Sequence, residues 1–167
     1  MLTSPTRFHW LQLPISRLVV AGLTAFGLSV MVPSSADAND YETCTGDLLT
    51  AGIAPAEAAT ACARALIPQD LSTCVTRIRQ NAGVTATDAL ATCVQVRRPV
   101  DLATCVVGIR QNQQSSAIPE VLDNCRRSLL PVRYGECVVG LARKINSLTP
   151  TVAMNTCIDA RDTRQNL

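Results

Sequence analysis

Histidine and aromatic residues are scarce in this chain, and the few present are concentrated near its beginning. The 167 residues include one histidine, one tryptophan, two phenylalanines and two tyrosines. Past residue 40 the only aromatic side chains are Tyr41 and Tyr134, and no histidine remains. Ser-His-Asp and Cys-His catalysis, histidine metal ligation and covalent haem attachment all need an imidazole. We therefore predict that residues 39–167 are not an enzyme and carry no cofactor.

An excess of charge of either sign is also missing. The whole chain has a net charge of +2, and residues 39–167 contain 13 basic and 12 acidic residues. Nucleic-acid binding draws on a surplus of basic side chains and on aromatic rings that stack with bases. The balance of charge therefore argues against a nucleic-acid partner.

Only one long apolar run occurs, at residues 18–32, and it has the setting of a secretory signal. Arg7 and Arg17 precede it, and a small-x-small cleavage pattern ends at Ala38. Its 15 residues fall short of the roughly 20 that a spanning helix needs. We predict a signal peptide at residues 1–38 and an exported chain, periplasmic or extracellular, with no stable membrane anchor.

Eight cysteines divide the rest of the chain into four similar units. They are Cys44, Cys62, Cys74, Cys93, Cys105, Cys125, Cys137 and Cys157. Successive gaps alternate between 18–20 and 12 residues, so the first cysteines of the pairs recur with periods of 30, 31 and 32. Such periods are typical of two-helix repeats. We predict one domain at residues 39–167, with units of about 31 residues at 40–69, 70–100, 101–132 and 133–167.

Apolar residues recur at helical spacing in both halves of a unit. The stripe of a first helix, helix A, is clearest at Leu71, Cys74, Val75 and Ile78. The stripe of a second helix, helix B, is clearest at Val121, Leu122, Cys125 and Leu129. No stretch has the sustained alternation and β-branched enrichment of a strand. The pattern predicts an all-α protein of four tandem helical hairpins, arranged as a short solenoid or a compact bundle.

Aspartates and prolines recur at the unit boundaries. Asp70 and Asp101 stand four residues before a cysteine, where an N-cap of helix A would accept free backbone amides. Pro68, Pro99 and Pro131 each stand six residues after the second cysteine of a unit. Because proline disfavours helix in the residue before it, we predict that these prolines end helix B.

The cysteines lie on the apolar stripes. The two cysteines of a unit also stand at similar distances before and after the turn that joins helix A to helix B. This placement predicts one disulfide within each hairpin, joining 44 to 62, 74 to 93, 105 to 125 and 137 to 157. The alternative joins cysteines across unit boundaries and leaves Cys44 and Cys157 unpaired. A crosslink closing a loop of this length stabilises a small unit by about 3 kcal/mol, which compensates for the small apolar area that each unit buries.

Two classes of function are compatible with these features. The first is a non-enzymatic interaction module or scaffold for a protein partner whose identity the sequence does not reveal, and whose oligomeric state it does not predict. The alternative is a thiol-active protein that exchanges disulfides or carries a soft metal. Metal-binding cysteines usually stand two to four residues apart, whereas the closest pair here is 12 apart. The spacing therefore favours the interaction module, without a metal site.

Basic residues recur near the ends of the A helices and form a candidate partner-binding edge. They are Arg77, Arg79, Arg110, Arg143 and Lys144. Guanidinium groups in a row could bind carboxylates or phosphates of a partner. The alternative is that they are solvated helix ends without a binding role. A further interpretation, an apolar ligand held between the helices, predicts a pocket lined by alanine and leucine.

Overall fold

A computed structural model describes residues 39–162, with side chains for residues 39–158, and this part of the chain contains eight α-helices and no strand. The predicted signal peptide at residues 1–38 lies outside the described residues. The helices are α1 (Asp40–Ala51), α2 (Pro55–Arg64), α3 (Pro68–Ala82), α4 (Ala86–Cys93), α5 (Pro99–Asn112), α6 (Ile118–Arg127), α7 (Pro131–Lys144) and α8 (Pro150–Asp162). The all-α prediction is confirmed.

Short connections fold the eight helices into four antiparallel hairpins, α1–α2, α3–α4, α5–α6 and α7–α8. The A helices α1, α3, α5 and α7 pack side by side and form one layer. Each B helix packs mainly on the A helix of its own hairpin, and much less on the A helix that follows. The core lies between the two layers. Of the four residues that stand three positions before the first cysteine of a hairpin, it contains Leu71, Leu102 and Tyr134, whereas Tyr41 in α1 is exposed.

The predicted helix A stripe is confirmed, since every one of its four residues is buried. The helix B stripe is confirmed for Val121, Leu122 and Cys125, which are also buried. Leu129 was assigned wrongly: α6 ends at Arg127, and Leu129 lies exposed in the following turn. The helix stops there because Ser128 has an extended backbone, with φ −71° and ψ 128°.

The prediction that the recurring prolines end helix B is wrong. Pro68, Pro99 and Pro131 are the first residues of α3, α5 and α7. The first turn of a helix has free amides in any case, and the fixed φ of proline suits that position. Proline therefore starts each interior A helix, although its effect on the preceding residue also helps to keep the turn non-helical.

The aspartates predicted to cap the A helices lie inside those helices. Asp70 and Asp101 are the third residues of α3 and α5, and the N-caps are Ile67 and Arg98. Neither N-cap side chain accepts a hydrogen bond from the helix. The aspartates still favour the helix start, because negative charge in the first turn complements the positive end of the helix dipole.

All four disulfides join the two helices of one hairpin, which confirms the predicted pairing and excludes the alternative across unit boundaries. The S–S distances are 1.96–2.03 Å in Cys44–Cys62, Cys74–Cys93, Cys105–Cys125 and Cys137–Cys157. No cysteine is left free. Seven of the eight are buried, and Cys137 is half-buried.

Contact between neighbouring A helices requires a small residue two positions before the first cysteine of a hairpin. The residues there are Ser72 in α3, Ala103 in α5 and Gly135 in α7, and all three are buried. A Cβ atom on Gly135 would lie only 3.3 Å from the Cα of Cys105 in α5. In α1 the same position holds exposed Glu42, and within the described part of the chain no A helix precedes α1.

Candidate binding surfaces

Two of the predicted edge cations bond to the neighbouring A helix. The Arg77 guanidinium of α3 donates to the Oγ1 of Thr104 in α5 at 3.3 Å. The Arg143 guanidinium of α7 donates to the Oδ1 of Asn112 in α5. Both interactions therefore link successive hairpins through their A helices.

Arg110 holds the end of its own hairpin loop. Its Nη1 donates to the carbonyl oxygens of Gln114 and Ser116, each at 2.7 Å. Its Nε donates to the carbonyl oxygen of Ala82, at the end of α3, at 3.4 Å. The Arg110 guanidinium thus links the loop after α5 both to α5 and to the end of α3 in the preceding hairpin.

The remaining two cations, Arg79 and Lys144, are exposed and make no hydrogen bond or ion pair within residues 39–158. Arg79 occupies the same register position as Arg110, five residues after the first cysteine. The five cations therefore differ in their surroundings, and three of them already donate to protein oxygens. A partner-binding role for this edge stays a prediction.

Arg110 and Arg79 form a matched pair for testing this difference. We expect Arg110→Ala to lower the free energy of unfolding by about 1–2 kcal/mol, because three carbonyl oxygens lose their donor. We expect Arg79→Ala to change it by less than about 0.5 kcal/mol, as is usual for exposed positions. Urea unfolding followed by circular dichroism measures both. Equal effects of the two substitutions would contradict the loop-holding role of Arg110.

A groove between the B helices α2 and α4 is a second candidate surface. It has a volume of about 820 Å³. Its apolar walls include Ala56, Ala61, Ala65, Leu71, Leu90 and Val94. The groove therefore has the alanine and leucine lining that is expected of a pocket for an apolar ligand. A smaller and more polar hollow of about 350 Å³ lies between α4 and α6.

The groove exists because α2 carries short side chains where later B helices carry longer ones. Between α6 and α8, the Asn124 side chain donates to the sulfur of Met154 at 3.8 Å. Thr151 of α8 also donates to Glu120 of α6 at 3.2 Å. The position of Asn124, directly before the second cysteine, is Ala61 in α2. Alanine is too short to fill the interval, so the space next to α4 stays open.

The two ends of the groove differ in charge. Glu57 lies in the first turn of α2, whereas Arg64 lies in its last turn. Arg97 follows α4, and because α2 and α4 run in the same direction it lies at the Arg64 end. Asp70 also lines the groove near that end. Neither arginine has an ion pair among the described side chains, so this end is net basic and the other end is acidic.

The sequence pattern assigned no residues to this groove, and the alanines at residues 56–65 are the feature that could have indicated it. Spacing alone could not reveal it, because the volume depends on how far α2 and α4 lie apart.

Comparison with known proteins adds no relative: the chain matches no protein-family model, no curated protein and no solved structure. None of the helices described here is long and apolar enough to cross a bilayer. Nor do the described residues contain a cluster of three or more histidine, cysteine, aspartate or glutamate side chains that could hold a metal ion. Four disulfides are typical of exported proteins in an oxidising environment.

Proposed function

We propose that the protein is an exported, non-enzymatic interaction module, acting in the periplasm or outside the cell, and that the groove between α2 and α4 is its binding site. The occupant is an amphipathic helix of a protein partner. The single observation that carries this proposal is the groove itself, with apolar walls and ends of opposite charge.

The dimensions of the groove suit a helix. The ten residues of α2 span about 15 Å, which gives a partner helix about three turns of contact. Alanine walls allow a second helix to approach closely, and helix-in-groove docking is a recurring mode of recognition. The bound helix would lie between α2 and α4. The corresponding interval between α6 and α8 is filled by the side chains of Asn124 and Met154.

The charges at the groove ends favour one direction for the bound helix. A helix N-terminus carries partial positive charge and its C-terminus carries partial negative charge. With its N-terminus beside Glu57 and its C-terminus beside Arg64 and Arg97, a bound helix would match both ends. The proposed occupant therefore runs parallel to α2 and α4.

The alternative function, thiol exchange or soft-metal carriage, has less support. All eight cysteines are in disulfides, and seven of them are buried. The thiolate is the form of cysteine that attacks disulfides and binds metals. A disulfide would therefore have to be reduced before either activity could begin.

Photocrosslinking from the groove wall tests the proposed function. A photoreactive residue replaces exposed Thr60 of α2, the oxidised protein is irradiated in the exported fraction, and the crosslinked peptide is sequenced. We expect a segment of one protein with apolar residues at helical spacing. A synthetic copy of that segment should gain helicity on binding, and Ala91→Arg in the groove should weaken its affinity by about tenfold or more.

Ala63→Arg is the matched control, because Ala63 is an exposed alanine of α2 that does not line the groove. This variant should bind the peptide with the affinity of the unaltered protein. A crosslinked segment without helical spacing, or equal weakening by the two substitutions, would refute the groove as a helix-binding site.

A further inference from the structure

Large apolar side chains are exposed along one edge of the protein, which we name the turn edge. It consists of the three turns that connect a B helix to the next A helix, at residues 65–67, 94–98 and 128–130. Because consecutive A helices pack side by side and begin at these turns, the three turns lie at the same end of the A-helix layer. Five of the nine exposed large apolar residues in the described part belong to this edge: Leu66, Ile67, Val94, Leu129 and Leu130.

Packing within the fold does not explain the two most exposed leucines. Leu66 and Leu129 each stand directly before the N-cap of an A helix, where an apolar residue often packs on the fourth residue of the helix. Such packing would cover them. Leu66, which also lines the groove, is instead 86% exposed, and Leu129 is 78% exposed, so both side chains extend into solvent.

The same edge has an excess of positive charge. Together with the helix turns that flank them, the three turns carry the arginines Arg64, Arg97, Arg98, Arg126, Arg127 and Arg133 and the aspartates Asp70, Asp101 and Asp123. Asp123 pairs with two of the arginines, and Asp101 pairs with Arg98. Arg64, Arg97 and Arg133 have no ion pair within residues 39–158. The first turn of α1, the first A helix of the same layer, carries the acidic residues Asp40 and Glu42.

Arg133 is unusual for its position. It is the third residue of α7, where α3 and α5 carry Asp70 and Asp101. Positive charge in the first turn opposes the helix dipole, so the fold itself does not favour an arginine there. A negatively charged partner next to this turn would favour it.

We propose that the turn edge docks on the surface of a bilayer that contains anionic phospholipid. Leu66 and Leu129 enter the boundary between headgroups and acyl chains, and the unpaired arginines lie at the level of the phosphates. The first and third turns each contribute a pair of apolar residues, Leu66-Ile67 and Leu129-Leu130. The second turn, which lies between them along the chain, contributes the basic pair Arg97-Arg98. Three turns at one end of the same layer can together contact one extended surface. Attachment is peripheral and reversible. The turn edge, with its flanking helix turns, shares Leu66, Arg64 and Arg97 with the basic end of the groove, whereas Leu129 and Arg133 lie outside the groove.

Vesicle flotation tests the proposal with oxidised protein recovered from the exported fraction. One set of vesicles contains phosphatidylcholine alone, and the other contains equal amounts of phosphatidylcholine and phosphatidylglycerol. We expect binding to the mixed vesicles and much weaker binding to phosphatidylcholine. Added salt should weaken it, because charge attraction to the surface is screened. The double variant Leu66→Ser with Leu129→Ser should bind the mixed vesicles about tenfold more weakly.

The matched control is Leu49→Ser with Val152→Ser, since these residues are exposed but lie outside the turn edge. It should bind the mixed vesicles like the unaltered protein, and circular dichroism should show the same helicity in both double variants. Absence of binding to mixed vesicles would overturn the proposal in favour of a protein partner for this edge. Equal binding by the turn-edge variant and its control would overturn it as well.

Discussion

Replacing Cys74 and Cys93 together by alanine is expected to lower the free energy of unfolding by about 3 kcal/mol. The disulfide closes a loop of 19 residues and restricts the unfolded chain. Both cysteines are also completely buried in the core. Four such crosslinks together approach the whole stability of a small domain, which is about 5–15 kcal/mol. Urea unfolding of the double variant, followed by circular dichroism, measures the loss.

Replacing Cys137 and Cys157 by alanine provides the comparison. In a repeat array each unit contacts only its neighbours. This change in the fourth hairpin should therefore leave the first three hairpins folded. The change in the second hairpin should weaken the hairpins on both sides of it.

Full reduction of all four disulfides should abolish most of the helical signal. Unreduced native protein should take up no alkylating label. A reduced protein that keeps its helicity and unfolding midpoint would contradict the stabilising role of the disulfides.

Tyr134→Ala is expected to lower the free energy of unfolding by about 3–5 kcal/mol, the usual cost of deleting a buried aromatic side chain. Tyr134 is completely buried, and its hydroxyl donates to the carbonyl oxygen of Met154 at 3.2 Å. The ring therefore joins α7 to α8 and fills the core of the fourth hairpin. Thermal and urea unfolding of the oxidised variant measure the effect.

Tyr41→Ala is the matched control for this prediction. Tyr41 stands at the same register position, three residues before the first cysteine, but is 55% exposed. Its removal should change the free energy of unfolding by less than about 0.5 kcal/mol. Tyr134→Phe should cost about 1 kcal/mol, because it removes only the hydrogen bond. Similar losses in Tyr41→Ala and Tyr134→Ala would show that the ring of Tyr134 does not hold the fourth hairpin together.

The hairpins and their disulfides could be predicted because both depend on local geometry. Helical spacing placed Cys74 on the same face as Leu71 and Ile78, and equal distances from the hairpin turn placed Cys93 opposite it. The role of Pro68 was predicted wrongly because proline both disfavours helix before it and favours the first helical position after it. Spacing alone does not decide which effect applies.

The candidate sites were harder to predict because they depend on how separate hairpins align. Whether Arg110 faces a partner or the loop carbonyls depends on the register between α5 and α3, which no local pattern contains. The groove likewise depends on the interval that Ala61 leaves unfilled beside α4. The exposed position of Leu129 emerged only when α6 proved to end two residues before it.

The residue two positions before the first cysteine of a hairpin, where neighbouring A helices meet, limits how such an array can evolve. Serine, alanine and glycine occupy this position in α3, α5 and α7, so the hairpins are not interchangeable modules. A gene duplication that copied the first hairpin into the middle of the array would bring Glu42 against a neighbouring backbone. Lengthening the array by duplicating the first hairpin would therefore require a substitution at the codon for Glu42 before the added hairpin could pack.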